Sequence, residues 1–217
     1  MKNNFFKIVL VAFSISFVSC EEPTTEIAPF KPVVFKEVFD AFEVNDDEYL
    51  NFGNWASFTE AGTKPWYEKE TDDNGYLEFS GYDVIVANRE TSNISWAISP
   101  KINLDNSENE ILNFKTSTEY VSGSANTIEV YISTNFDGTN VLAATWIPLA
   151  ATIANSSNNI SNTTSNGSIK IDSGDIDVST YSGDVYIAFR GIGSGTDSNL
   201  DGSLRLDNIK IYNKNYK

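Results

Sequence analysis

Leu204-Arg-Leu206-Asp207-Asn208-Ile209-Lys-Ile211-Tyr212, close to the C-terminus, decides the fold. Side chains along a strand alternate between its two faces. Leu204 and Leu206 therefore share a face, whereas Ile209 and Ile211 fall on the opposite parity. Both pairs reach one core only if a residue slips between Asp207 and Asn208, which is what a β-bulge does. Upstream the chain keeps the same character. Short runs rich in Val, Ile, Phe, Tyr and Thr alternate with Gly, Asn, Asp and Ser, most clearly at 33–44, 76–80, 94–99, 111–116, 127–134, 168–178 and 185–192. After residue 32 no segment holds apolar residues at helical spacing over three turns. Asn74-Gly75 and Asp137-Gly138 carry dipeptides that favour tight hairpins. The pattern predicts an all-β fold, an antiparallel jelly-roll β-sandwich over residues 33–217. Within it, residues 151–168 (ATIANSSNNISNTTSNGS) read as a long mobile loop, too polar to bury much apolar area.

Charge and composition narrow the function. The net charge is −15, and a surface that acidic repels nucleic acid and anionic lipid headgroups. There is no histidine. That removes Ser-His-Asp and Cys-His nucleophile systems and the usual zinc ligand sets, leaving carboxylate chemistry or oxygen-ligated metal. The single cysteine, Cys20, leaves no internal disulfide.

The N-terminus supplies an address. Lys2 and Lys7 flank the start of an apolar run, Ile8 to Val18, that ends at Val18-Ser19-Cys20. This is the make-up of a secretory signal, 1–19, and with Cys20 after the cut it resembles the lipobox of bacterial lipoproteins. The resemblance implies acylation of Cys20 and attachment to the membrane through it, since no other apolar run approaches the ~20 residues of a spanning helix. Residues 20–32 carry three prolines and read as a tether. Glu21-Glu22 resembles the acidic tag that sends some Bacteroidetes lipoproteins to the outer surface, with a plain solvated linker as the other reading. The expected location is the outer membrane, exposed at the cell surface.

Four segments carry a further likeness. They are Glu37-Val-Phe39-Asp40-Ala-Phe-Glu43, Ser95-Trp96-Ala-Ile-Ser99-Pro100-Lys-Ile-Asn-Leu104, Glu129-Val-Tyr-Ile-Ser-Thr-Asn-Phe-Asp137-Gly138, and Tyr181-Ser-Gly183-Asp-Val-Tyr186-Ile-Ala-Phe189-Arg190 with Leu204 to Ile209. In this order they resemble the choice-of-anchor J and cleaved-adhesin jelly rolls of Bacteroidetes surface proteins. The resemblance implies a structural calcium tying the last strand to the first. Asp207 would be a ligand beside the bulge, Asp40 the foremost partner, and Glu37 and Glu43 further candidates. A bulge whose Asp207 accepts backbone amides instead is the alternative. Asp197-x-Asn199-x-Asp201-Gly202 matches the first half of a calcium loop, but Asn208 stands at its twelfth place and no helices flank it, so a polar hairpin loop is the favoured reading.

Among the aromatics, Trp96 and Trp146 lie in strand-like runs and read as core. Trp55, Trp66, Tyr67, Tyr76 and Tyr82 fall nearer turn signals. The Trp66-Tyr67 pair, between Pro65 and Glu68, is the best candidate for an exposed ligand-binding platform. Glu43-Val-Asn-Asp46-Asp47-Glu48 lacks the Glu-x-Asp-x-x-Glu spacing of laminarinase-type jelly-roll hydrolases. These readings favour a non-catalytic, surface-anchored module for a glycan or a cell-surface protein. A carboxylate-dependent polysaccharide hydrolase and a structural envelope lipoprotein are the alternatives.

Overall fold

The structure is a computed structural model and describes residues 32–41, 48–71, 74–158 and 170–214. Its strands, in chain order, are β1 (Val33–Glu37), β2 (Glu48–Tyr49), β3 (Ala56–Ala61), β4 (Tyr67–Thr71), β5 (Asn74–Ser80), β6 (Asn93–Ile98), β7 (Ile102–Asn103), β8 (Glu110–Glu119), β9 (Thr127–Ser133), β10 (Ile147–Pro148), β11 (Ile171–Asp172), β12 (Ile176–Asp177), β13 (Asp184–Gly193) and β14 (Ser203–Asn213). The helical turns among the described residues are three short 3-10 pieces, and none is long and apolar enough to cross a membrane.

Two antiparallel sheets result. The first runs β11-β8-β14-β5-β4-β2, with β1 beside β14 and β12 beside β8. The second runs β10-β9-β13-β6-β3, with β7 beside β13. Their inner faces share one core that includes Trp66, Phe79, Phe114, Ile187, Phe189 and Leu206. The jelly-roll sandwich predicted from the strand pattern is what the chain adopts.

The bulge falls where the parity argument puts it. β14 pairs with β8 on both sides of a register shift between Asp207 and Lys210. Leu204, Leu206, Ile209 and Ile211 are all fully buried. Its position has a topological cause. β14 pairs with β5 over Ser203–Leu206 and with β1 over Ile209–Tyr212, so the slip marks the handover between neighbours.

Several expectations need correction. The first strand stops at Glu37 rather than Val44, because Phe39 turns into the left-handed region (φ +58) with its ring wholly buried. Asn74-Gly75 is not a hairpin turn: both residues lie in β5, paired with Thr71 and Glu70 of β4. The 168–178 run is two short pieces, β11 and β12. The 151–168 stretch is not loose throughout, since Ala154 is buried and its N–H donates to Thr116 Oγ1 at 2.9 Å. Residues 159–169 lie outside the described residues.

Candidate functional site: a tyrosine-lined groove

Alternation on the eight-stranded sheet sends one set of side chains outward. On β4 Tyr67 and Lys69 flank the buried Glu68. On β5 Glu78 and Ser80 flank Phe79, and on β14 Ser203 and Arg205 flank Leu204. The register lines them up across the sheet. Tyr49, Tyr67, Glu78, Arg205 and Ser117 form one row, and Ser80, Ser203 and Glu119 form the next. Tyr49 and Tyr67 stack with ring centroids 5.5 Å apart.

The loop after β5 raises a wall beside these rows. Asp83 anchors it, accepting from Lys64 Nζ at 2.5 Å and from the Ile85 N–H at 2.7 Å. Arg89 lies 4.5 Å from the Tyr82 ring centroid and donates to the Tyr82 hydroxyl at 2.8 Å. Tyr82, 40% exposed, thus stands fixed between two hollows. One, of ≈ 380 Å³, is lined by Ser80, Tyr82, Tyr120, Asp201 and Ser203. The other, of ≈ 260 Å³, lies among Lys64, Tyr67, Lys69, Glu78 and Asp83, and Ser80 and Tyr82 border both. Tyr120 takes a left-handed backbone (φ +59) and lines the larger hollow as a 69% exposed residue. A non-glycine residue in that region costs energy and is often found at binding sites.

Arg205 lies under the groove floor. It donates to Glu78 Oε2 at 2.8 Å, pairs with Glu119 Oε2 at 2.9 Å, and rests 4.8 Å from the Tyr76 ring centroid. Burial acts to lower its pKa, but the Glu78 hydrogen bond and charge outweigh that and hold it above the usual value. Burial raises the Tyr67 phenol, with smaller contributions from Tyr49 and Asp83. Asp83 is lowered, first by the Lys64 hydrogen bond and then by the Ile85 amide. The groove therefore presents phenols and hydroxyls beside the Lys64–Asp83 and Arg205–Glu78–Glu119 ion pairs, with Asp201 lining the larger hollow.

Residues 99–216, more than half of the chain, match a family described as Domain of unknown function (DUF5017). The chain belongs to the DUF5017 family. No curated protein matches it in sequence. Among solved structures, the K2 cleaved adhesin domain of Lys-gingipain is similar over 82% of this DUF5017 chain and 96% of its own, at TM-score 0.50 and 15% identity. The K1 cleaved adhesin domain of Lys-gingipain from Porphyromonas gingivalis W83 covers 83% of this chain and 98% of its own, at 0.47 and 15%. A TmCBM61 structure in complex with β-1,4-galactotriose covers 75% and 90%, at 0.41 and 9%. The K2 likeness is one of fold: an adhesin-like β-sandwich.

The structure splits the Trp66-Tyr67 pair. Tyr67 lines the groove, but Trp66 is fully buried, its Nε1 donating to the Ser95 carbonyl at 3.0 Å and its ring against Phe79. Trp66 directly precedes β4 and turns into the core, while Tyr67, the first residue of the strand, faces outward. Trp55 and Tyr76 are also buried. Trp96 packs with Trp146 in a second cluster, on the outer face of the six-stranded sheet. Tyr49 and Tyr120 escaped sequence reasoning. The pairing of Tyr49 with Tyr67 requires the β2–β4 register, which no local motif announces.

The bulge corner of this DUF5017 chain gathers Asp207 and Asp40, two of the expected calcium ligands. Asp207 is 3% exposed. Its carboxylate accepts from the Asn208 N–H at 2.5 Å, from Asn74 Nδ2 at 3.4 Å and from the Lys170 ammonium, which also donates to Asn74 Oδ1 at 2.9 Å. Asp40 reaches the same corner, accepting from the Gly75 N–H at 3.4 Å. Glu37 spends Oε1 on the Val38 and Phe39 amides, both at 2.9 Å. No group of three or more Asp, Glu, Cys or His side chains that could hold a metal occurs among the described residues. Among the described residues, the charged partner that Asp207 finds at this corner is the Lys170 ammonium. The 197–202 loop is a turn in which Asp197 Oδ1 accepts from the Asn199 N–H at 2.9 Å, while Asp201 faces the groove. Cys20 and Glu43 lie outside the described residues.

Proposed function

We propose that this DUF5017 chain is a non-catalytic binding module that holds a glycan in the tyrosine groove and is anchored at the cell surface through an acylated Cys20. The observation that carries the reading is the set of tyrosines, 49, 67, 82 and 120, gathered on the open sheet face beside Ser80, Ser203 and Asp201. Sugar rings present C–H faces to aromatic rings and hydroxyls to polar rims, and the groove offers both surfaces side by side. Glycosidic hydrolysis takes a pair of carboxyl groups, and of the groove carboxylates Glu78 and Glu119 are held by Arg205 and Asp83 by Lys64, which leaves Asp201. The finer placement among choice-of-anchor J lipoproteins rests on the sequence motifs, as does the anchor, which palmitate labelling of wild type against Cys20→Ser checks.

The groove is tested by affinity electrophoresis in polysaccharide gels. Tyr67→Ala and Tyr82→Ala should each weaken retention about tenfold, the scale of one lost aromatic contact. Their melting midpoints should stay near that of wild type. Unchanged retention in both variants would remove the groove from the reading. Release of new reducing ends would replace binding with hydrolysis.

A further inference from the structure

We infer that the groove selects neutral glycans and rejects those bearing carboxylate or sulfate groups. This rests on the groove being a glycan site and specifies the class it takes. Among the described residues, the charged one lining the larger hollow is the acid Asp201, with the Ser80 and Ser203 hydroxyls and the Tyr82 and Tyr120 rings around it. A carboxylate there accepts hydrogen bonds from the vicinal hydroxyls of an uncharged sugar. It repels an anionic substituent, and burying two like charges together is unfavourable.

Lys64 and Lys69 line the second hollow and Arg205 lies beneath the floor, but the chain already engages all three. Lys64 is bound to Asp83, with 15% of its side chain exposed. Arg205 is bound to both Glu78 and Glu119, with 14% exposed. Lys69 lies 5.8 Å from the Tyr67 ring centroid. A uronate or sulfate would have to displace a resident carboxylate from each ion pair and then lie beside it. Bidentate capture of an anion by arginine needs an open guanidinium edge, and Arg205 gives its edges to Glu78 and Glu119. The net charge of −15 adds long-range repulsion of polyanions. Tyr82 stands between the hollows, so a chain crossing the groove meets one sugar site on each side of it.

The test uses the whole secreted chain in affinity gels of laminarin, galactan and mannan, and of polygalacturonate and chondroitin sulfate, at low and high salt. The expected result is retention on one or more neutral polymers and none on the anionic ones at either salt. Asp201→Asn should weaken neutral retention about fivefold. Glu78→Gln with Glu119→Gln should free Arg205 and give retention on polygalacturonate at least tenfold above wild type, lost again at high salt. Asp201→Asn alone keeps the test open if the double variant fails to fold, because it should by itself raise low-salt retention on the anionic gels. Retention of wild type on an anionic polymer would overturn the selectivity while leaving the glycan site standing. Retention on no gel at all would remove the glycan site and the selectivity together.

Discussion

Asn208 carries the bulge with a left-handed backbone, φ +54. Asparagine tolerates that region better than any other residue with a β-carbon except aspartate, while a β-branched side chain meets the neighbouring carbonyl there. Asn208→Gly should therefore leave stability within about 0.5 kcal/mol of wild type. Asn208→Val should cost about 1–3 kcal/mol. Urea melts of the two variants check this, and equal loss in both would mean that Asn208 acts through its side chain rather than its backbone. The bulge was legible because four aliphatic residues changed parity within eight positions. The fate of Trp66 and Tyr67 was half legible. Tyr67 was read as exposed and does line the groove, half-buried, whereas Trp66, just before β4, is core. Which of them was core depended on Phe79 and Ser95, 13 and 29 residues away, and these supply the partners of the buried indole.

At the scale of elements, the crossing of the β1 exit over β5 explains a dipeptide that misled. Asn-Gly commonly marks a hairpin turn, yet Gly75 is a strand residue kept bare by close approach. A β-carbon on it would come 2.0 Å from the Phe39 carbonyl oxygen. Because that contact is backbone, little can give way. Gly75→Ala should cost about 3 kcal/mol or more, above the usual range for overpacking, and should disturb the Asp40 and Asn74 contacts beside it. A thermal melt showing Gly75→Ala within about 0.5 kcal/mol of wild type would mean the crossing is soft. Strands β3 and β4 and the shorter β2, β7 and β10 were not read from the sequence, for a related reason. They are short or carry charged residues such as Glu60, Lys69 and Glu70, and are held by pairing with stronger neighbours rather than by their own apolar pattern. The groove inherits that obscurity, since its stacked pair Tyr49 and Tyr67 stands on β2 and β4.

At the scale of the whole molecule, the exit of the first strand, the bulge of the last and Lys170 meet at one corner, and the sign of the charge there decides how they are held. Asp207 is buried and needs a cation or several donors. Lys170 is the cation that the described structure provides, with 31% of its side chain exposed against 5% for Asp207. A lysine so placed ties the chain after residue 169 to β14 and, through Asn74, to β5. Removing it leaves Asp207 with the Asn208 amide and Asn74. Lys170→Met should therefore lower stability by about 1.5–3 kcal/mol, the worth of a hydrogen bond to a charged group. For a chain of this size that corresponds to roughly 3–12 °C in melting midpoint, at ~2–4 °C per kcal/mol. Wild-type protein should melt at the same temperature in calcium and in chelator. A metal that bound only the folded state would instead add RT ln(1 + [L]/Kd), about 2.7 kcal/mol at a hundredfold excess over Kd. Differential scanning calorimetry of wild type and Lys170→Met in both buffers separates the two. A wild-type midpoint several degrees higher in calcium, unchanged by Lys170→Met, would show that metal and not lysine closes the corner.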